Sequence, residues 1–237
     1  MTTMEVVKSS MLDAIMETFV DNKRQLLHCL VCVSRLSPSI GDKRTVGGHY
    51  EQLFRACSSQ YQGEGPTGIL LVYPQHCLHL VEAPSELLMD VVKDLEKQGK
   101  EKAMLVETKI LIFATNIKMR FYGHWCHRVL NLPTLAKGDS YQTNNPVHET
   151  VVSNVENLYI LGQRLGKMPQ LEQKKTLDNL PEKLPELLLQ QDVLEYFLAQ
   201  SELMHPTEFI QLYGKLPQVT LDGETIWPVP VRLFPYD

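Results

Sequence analysis

Histidine and cysteine side chains stand in three separate segments that read as β-strands, and these two residue types are common ligands of soft metals. The three residues are Cys32, His79 and His127. Because side chains alternate between the two faces of a strand, all three could project toward the same face of one sheet. A metal-binding module there is one hypothesis. The simpler interpretation is the partly polar, hydrogen-bonded floor of a pocket, which we favour, so no metal is expected.

Three spacings match known site motifs but stand in the wrong structural context. Cys29 and Cys32 form a C-x-x-C pair, but residues three apart in a strand point to opposite faces, and the pair His124 and His127 fails for the same reason. The stretch Gly63–Gly68 reads G-x-G-x-x-G, yet it follows a predicted helix and enters a strand, whereas a dinucleotide-binding loop follows a strand and opens a helix. The sequence shows no serine nucleophile motif, no P-loop and no paired carboxylates, and we therefore predict that the protein is not an enzyme.

Apolar spacing predicts the elements that must position these side chains. The predicted strands are Leu26–Leu36, Ile69–Tyr73, Cys77–Val81, Lys109–Thr115 and Gly123–Leu130, and the predicted helices are Gly48–Tyr61 and Ser85–Gly99. The order β-α-β-β-α-β-β predicts an α+β fold: a ferredoxin-like sandwich with one additional strand and both helices on one face. His79 lies in a central strand of this sheet and needs a hydrogen-bond partner or a cavity.

The remaining segments divide the chain around that sandwich. We predict an N-terminal helix in residues 1–25, the α+β domain in 26–130, a linker in 131–146, a small helical appendage in 147–214 and an extended arm in 215–237. The predicted helices of the appendage are one running from about Val151 to Gly166 and three shorter ones at Leu184–Gln190, Val193–Ser201 and Thr207–Tyr213. The arm is called extended because its proline density blocks both a helix and a central strand.

Composition excludes several classes of function. The 237 residues carry a net charge of −5 without a basic cluster, which disfavours nucleic-acid binding. No apolar run approaches the ~18 residues that a membrane span needs, and the N-terminus does not resemble a signal peptide. The five cysteines are an odd number, so we expect reduced thiols in the cytoplasm.

Four local motifs together resemble the BLUF family, the blue-light sensors that use flavin. Leu30–Arg35 is similar to that family's first strand, Pro66–Leu71 to its second, Cys77–Pro84 to its third strand and helix entry, and Arg120–His127 to its closing strand. The resemblance covers roughly residues 26 to 130. It implies the same ferredoxin-like sandwich and a flavin pocket.

The departures from that family lie at the flavin positions. The resemblance places Cys32 where the family has its photoactive tyrosine, and His79 where it has the glutamine of the relay. Trp125 is kept, and His127 replaces a methionine. A thiol and an imidazole cannot perform the phenol and carboxamide chemistry. We therefore expect these four cofactor positions to be vacant and no FAD to bind, with a flavin-binding sensor of altered chemistry as the alternative.

A degenerate BLUF domain followed by short helices and a proline-aromatic tail resembles the mammalian testis-expressed proteins of this type. That resemblance implies a non-catalytic, structural role in the cytoplasm, at the cytoskeleton of the sperm flagellum, with other proteins of the axoneme as partners. Aromatic side chains are the usual hot spots of protein interfaces. In the arm these are Trp227, Phe234 and Tyr236, and we predict that they bind the partner.

Overall fold

The structure is a computed structural model that describes residues 26–60, 65–101, 104–132 and 141–214, with the side chains of 58–60 left out. The N-terminal helix predicted in residues 1–25 lies outside the described residues. So does the predicted arm, 215–237, with its three aromatic side chains. No helix within the described part of the chain is long and apolar enough to cross a membrane.

Five strands form one sheet, and two long helices follow the first and third strands. The strands are β1 (Leu27–Leu36), β2 (Thr67–Val72), β3 (His76–Pro84), β4 (Leu105–Ala114) and β5 (Trp125–Val129), and the helices are α1 (Arg44–Gln60) and α2 (Ser85–Glu101). The strands lie in the order β4-β1-β3-β2-β5, and all neighbours are antiparallel except β2 and β5. This arrangement confirms the predicted ferredoxin-like sandwich with one additional strand.

One helix and one strand of the sandwich begin four residues earlier than predicted. Helix α1 begins at Arg44 rather than Gly48, because the turn before its apolar stripe is already helical. Strand β4 begins at Leu105 rather than Lys109 because polar residues such as Glu107 pair with β1 and still continue the ladder. Backbone pairing does not require apolar side chains on a half-exposed edge strand.

Helices α1 and α2 cover one face of the sheet, as predicted. The core on this side contains Tyr50 and Phe54 from α1, Leu88 and Val92 from α2, and Cys32 from the sheet. The alternation along β1 places Val31 and Val33 on the opposite face. We call the side covered by α1 and α2 the helix-covered face.

Of the five helices after residue 146, the first four pack against the second face of the sheet and share one core with it, whereas the last buries Phe209 in the core of the helix-covered face. They are α3 (Val147–Gly166), α4 (Gln170–Asp178), α5 (Leu180–Lys183), α6 (Gln191–Ala199) and α7 (Pro206–Tyr213), with a 3₁₀ turn at Pro185–Leu187. The region predicted as a helical appendage is thus helical, and most of it covers the sheet. In the predicted linker, residues 141–146 contain neither helix nor strand, and 133–140 lie outside the described residues.

The prediction of a helix at Leu184–Gln190 is wrong. Only a single 3₁₀ turn forms there, at Pro185–Leu187. Pro185 keeps Leu184 out of the helical conformation, and Leu188 after the turn is extended. The sequence analysis also missed helix α4. This helix is mostly polar and buries only Thr176 and Leu177, so it has no apolar stripe to reveal it.

A buried carboxylate fixes the loop that leads into β5. The side chain of Glu82 is fully buried and accepts hydrogen bonds from the Thr67 hydroxyl at 2.7 Å and from the backbone N–H groups of Phe121 at 2.8 Å and Tyr122 at 3.3 Å. The Tyr122 hydroxyl then donates to the carbonyl of Leu158 in α3 at 2.7 Å. These bonds hold the loop between the sheet and α3, and so they set where the following strand begins.

Candidate functional site

Three of the four cofactor positions predicted from the sequence form one row across the sheet. Cys32 in β1 lies directly opposite His79 in β3, which lies opposite Leu70 in β2. Leu70 in turn lies opposite His127 in β5. The side chains of Cys32, His79 and His127 therefore all project onto the helix-covered face, as the strand alternation indicated.

The fourth position, Trp125, is bonded to His79. The indole N–H of Trp125 donates to Nε2 of His79 at 3.0 Å. Tryptophan can only donate through this nitrogen, so Nε2 accepts, and the imidazole is neutral with its proton on Nδ1. His79 is only 2% exposed, and burial lowers its pKa to about 3, which agrees with the neutral form. Trp125 thus supplies the partner that His79 needs at Nε2.

Aromatic rings from α1 close over this pair. The ring of Tyr50 meets His79 edge-on with centroids 4.5 Å apart, and the ring of Phe54 meets Trp125 edge-on at 5.1 Å. Such edge-to-face contacts are favourable beyond the apolar area that they bury. We call Tyr50, Phe54, His79 and Trp125 the aromatic cluster. It packs between α1 and the sheet.

His127 packs beside the cluster, against the first turn of α1. A Cβ atom on Gly47 would fall on the imidazole ring of His127, 2.6 Å from its Nε2 atom. The other ring nitrogen, Nδ1, lies 3.5 Å from the Glu51 carboxylate. His127 therefore lies in a notch that only a glycine leaves open.

The cysteines of this face are buried and unreactive. Burial raises the pKa of the Cys32 thiol far above its ordinary value, and it raises the pKa of Cys77 to about 12. A thiol is a nucleophile and a metal ligand only as a thiolate, so neither residue can act as one at neutral pH. Cys29 lies in the core of the opposite face from Cys32, and the C-x-x-C pair therefore does not converge on one site.

The metal hypothesis gains no support from this geometry. Within the ranges that the structure describes, no group of three or more histidine, cysteine, aspartate or glutamate side chains is placed to hold a metal ion. One ring nitrogen of His79 is already engaged by Trp125, and the thiol of Cys32 is protonated. Cys32 and His79 are part of a packed interior, and His127 lies partly exposed at its edge.

Sequence reasoning missed Tyr50 and Phe54 as members of the site. It placed both on the apolar face of a helix, which was sufficient to predict that they are buried. It did not show that this helix crosses the sheet directly above His79. The available signal was a pair of aromatic residues four apart on the helix that the fold lays over the central strands.

The sheet order and the helix-covered face define the class of protein: a BLUF-type ferredoxin-like sandwich. Solved structures similar to this chain include three bacterial proteins. The BLUF domain of BlrP1 from Klebsiella pneumoniae is 22% identical over 45% of this chain and 66% of that chain, with a TM-score of 0.32. The BLUF protein BlrB in its dark state is 20% identical over 45% of this chain and 73% of that chain, with a TM-score of 0.33. A light-regulated adenylyl cyclase is 16% identical over 65% of this chain and 39% of that chain, with a TM-score of 0.34. The chain thus spans well under half of the cyclase.

A narrower assignment comes from the sequence itself. The sequence profile of the family described as testis-expressed protein 47 matches residues 26–215, which is most of the chain. The protein belongs to this family.

Proposed function

We propose that this protein is a non-catalytic structural or interaction protein whose BLUF-like sandwich serves as a rigid scaffold and performs no flavin photochemistry. The observation that carries the proposal is the hydrogen bond from Trp125 to His79 inside the aromatic cluster. It engages the side chain that stands at the position of the relay's glutamine. Sites are grafted onto folds, so a fold can persist after the chemistry of its site is gone.

The residues at the flavin positions do not fit a flavin. The rings of Tyr50 and Phe54 lie directly against His79 and Trp125, two of the positions that the resemblance assigns to the flavin pocket. The ring of His127 fills the notch at Gly47. At the tyrosine position, the Cys32 thiol is buried and protonated, and it has no phenol ring to offer.

An absorbance spectrum tests this part of the proposal. Protein purified at full length should be colourless, and it should take up neither FAD nor FMN from solution. A bacterial BLUF domain purified in parallel would show that the procedure retains bound flavin. A yellow protein with absorbance near ~450 nm, or a colour that shifts reversibly under blue light, would contradict the proposal.

One observation favours the alternative, a flavin-binding sensor with altered chemistry. The Tyr50 hydroxyl and the Nδ1 atom of His79 are buried and have no hydrogen-bond partner among the described residues. Buried polar groups normally find a partner, which a ligand would supply. A single buried water would serve equally well, and the same spectrum separates the two functions.

Family membership supports a role in the male germ line, and the resemblance drawn from the sequence extends this to the flagellum. We propose a cytoplasmic location at the cytoskeleton of the sperm flagellum, with axonemal proteins as partners. The predicted contact is the arm, through Trp227, Phe234 and Tyr236. These aromatic side chains are the type that anchors interfaces.

Co-purification from sperm tests the partner proposal. Full-length protein should retain axonemal proteins, and truncation after Gly214 should release them while the sandwich stays folded. Alanine at Trp227, Phe234 and Tyr236 together should act like the truncation. Retention of the same partners by both altered proteins would show that the arm is not the docking element.

A further inference from the structure

An apolar cavity lies between β4, α2 and α7, at the edge of the sheet opposite β5. Its volume is about 640 Å³, within the range of sites that hold a ligand or a peptide side-chain cluster. Its walls include Met89 from α2, Ile110 and Phe113 from β4, and Phe209 and Tyr213 from α7. The Tyr213 side chain is 62% exposed, so one wall of the cavity stands open to water. An exposed apolar cavity of this size is typical of a binding or interaction site.

The chain enters the fold beside this cavity. His28, the second residue of β1, lines the cavity and stacks its ring on Phe113 with centroids 6.3 Å apart. Leu26, two residues before His28, is 43% exposed. The described chain therefore begins close to the edge of the cavity, and residues 1–25 are joined to it there.

The sequence of that segment contains an apolar stripe with helical spacing. Leu12, Ile15, Met16 and Phe19 are spaced for one face of a helix, and Ser10 can cap its start. A helix over residues 11–19 is about 14 Å long. An isolated helix of this length is marginal in water, so its apolar face needs a surface to cover. The connector, residues 20–25, reaches up to ~20 Å, which is enough to turn the helix back onto the cavity.

Charge supports the same arrangement. Glu202 lines the cavity. Burial lowers the pKa of His28, and the nearby charge of Glu86 acts in the opposite direction. Lys23 and Arg24 precede β1 by only a few residues. A helix turned back onto the cavity would bring these cations near both carboxylates.

We propose that residues 11–19 dock as an amphipathic helix in this cavity, with Leu12, Ile15, Met16 and Phe19 against its apolar wall. The C-terminal arm also begins beside the cavity, after Tyr213, but its proline density is incompatible with a continuous apolar helical stripe. The inference concerns this chain alone and is independent of the proposed function.

Two neighbouring substitutions in the full-length protein test the docking. Ile15→Asp places a charge within the apolar stripe, and Ala14→Asp places the same charge about 150° from the middle of the stripe, on the opposite side of the helix. Hydrogen exchange followed by mass spectrometry should show at least ~10-fold faster exchange at 206–213 and 108–114 in Ile15→Asp. Exchange in Ala14→Asp should match the wild type. Equal exchange in all three proteins would overturn the proposal.

Further measurements separate the other occupants. Leu12→Ser makes a milder change and should give the same pattern if Ile15→Asp misfolds. Faster exchange on truncation after Gly214, with none in Ile15→Asp or Leu12→Ser, would assign the cavity to the C-terminal arm and overturn the proposal. Wild-type protection that falls on dilution would assign it to a second copy of the chain and overturn the proposal as well.

Discussion

Trp125 and His79 are separated by the whole width of β2, yet the indole N–H of one lies 3.0 Å from the imidazole Nε2 of the other. Gly68 is the β2 residue directly opposite Trp125. Its φ of +135° and the carbonyl of Leu80 in β3 leave no place for a Cβ atom, so only glycine lets β2 pair with β3 in this geometry. The bond that crosses β2 holds a neutral imidazole in the interior.

A neutral His79 makes the protein less stable in mild acid. Because its pKa is lowered to about 3 in the fold and is about 6.5 when unfolded, only the unfolded chain binds a proton between these values. The stabilising contribution is complete above pH 6.5 and is lost as the pH falls toward 3. Between pH 7.5 and 5.5 we expect a loss of about 1.4 kcal/mol from this residue.

Urea unfolding of His79→Gln at the two pH values measures this contribution. Glutamine does not titrate, and its side-chain oxygen can still accept from the indole, so the loss on acidification should shrink by about 1.4 kcal/mol. His148→Gln, a change at an exposed histidine, should keep the wild-type pH dependence. A pH dependence in His79→Gln that equals that of the wild type would show that His79 is not held neutral.

Removing the indole N–H should leave a buried acceptor unpaired. Trp125→Phe keeps a ring but not the donor, and we expect it to cost about 1–3 kcal/mol of unfolding free energy, because Nε2 of His79 would have no partner. In a His79→Leu background the same change should cost at least ~1 kcal/mol less. Urea unfolding at pH 7.5 of the wild type, both single variants and the double variant gives this difference. An equal cost in both backgrounds would mean that the bond contributes nothing.

Alanine substitutions at Gly47 and at its neighbour Gly48 test whether His127 occupies the notch. Gly47→Ala places a methyl group on the ring of His127, and we expect a cost of about 1–3 kcal/mol and a displaced histidine. Gly48→Ala meets nothing within 4 Å, and in a helix alanine is favoured over glycine by up to ~1 kcal/mol. Thermal unfolding should therefore shift in opposite directions for the two variants. A shared upward shift would place His127 elsewhere.

What the sequence could predict was set by local periodicity. Alternation along β1 and β3 placed Cys32 and His79 on the same face before any contact was known. Local periodicity could not predict the position of α1 above His79, because that position depends on how the helix lies across the sheet. The burial of Glu82 was also invisible, since two of its donors are backbone N–H groups about forty residues further along the chain. Helix α4 has no apolar stripe from which the sequence could predict it.

Glu82 should be essential to the loop before β5. In Glu82→Gln one oxygen becomes an NH₂ group facing an existing donor, so at least one charge-assisted hydrogen bond is lost, at a cost of about 2–3 kcal/mol. Urea unfolding gives the cost, and amide exchange at Phe121 and Tyr122 should quicken. Glu101→Gln, at the exposed end of α2, should stay within ~0.5 kcal/mol of the wild type. Equal stability of the two variants would show that the carboxylate is dispensable.

The same loop touches α3 where the helix has no side chain. A Cβ atom on Gly162 would lie 2.9 Å from the Phe121 carbonyl oxygen and 2.9 Å from the Tyr122 ring, and a backbone oxygen held by the Glu82 bonds cannot move aside cheaply. We expect Gly162→Ala to destabilise the protein by about 1–3 kcal/mol. Gly166→Ala, one turn further along α3, meets nothing within 4 Å and should be neutral or stabilising by up to ~1 kcal/mol. Urea unfolding of both variants measures these two effects. Equal stabilities would mean that α3 does not press on this loop. The second face of the sheet would then be covered more loosely than the structure shows.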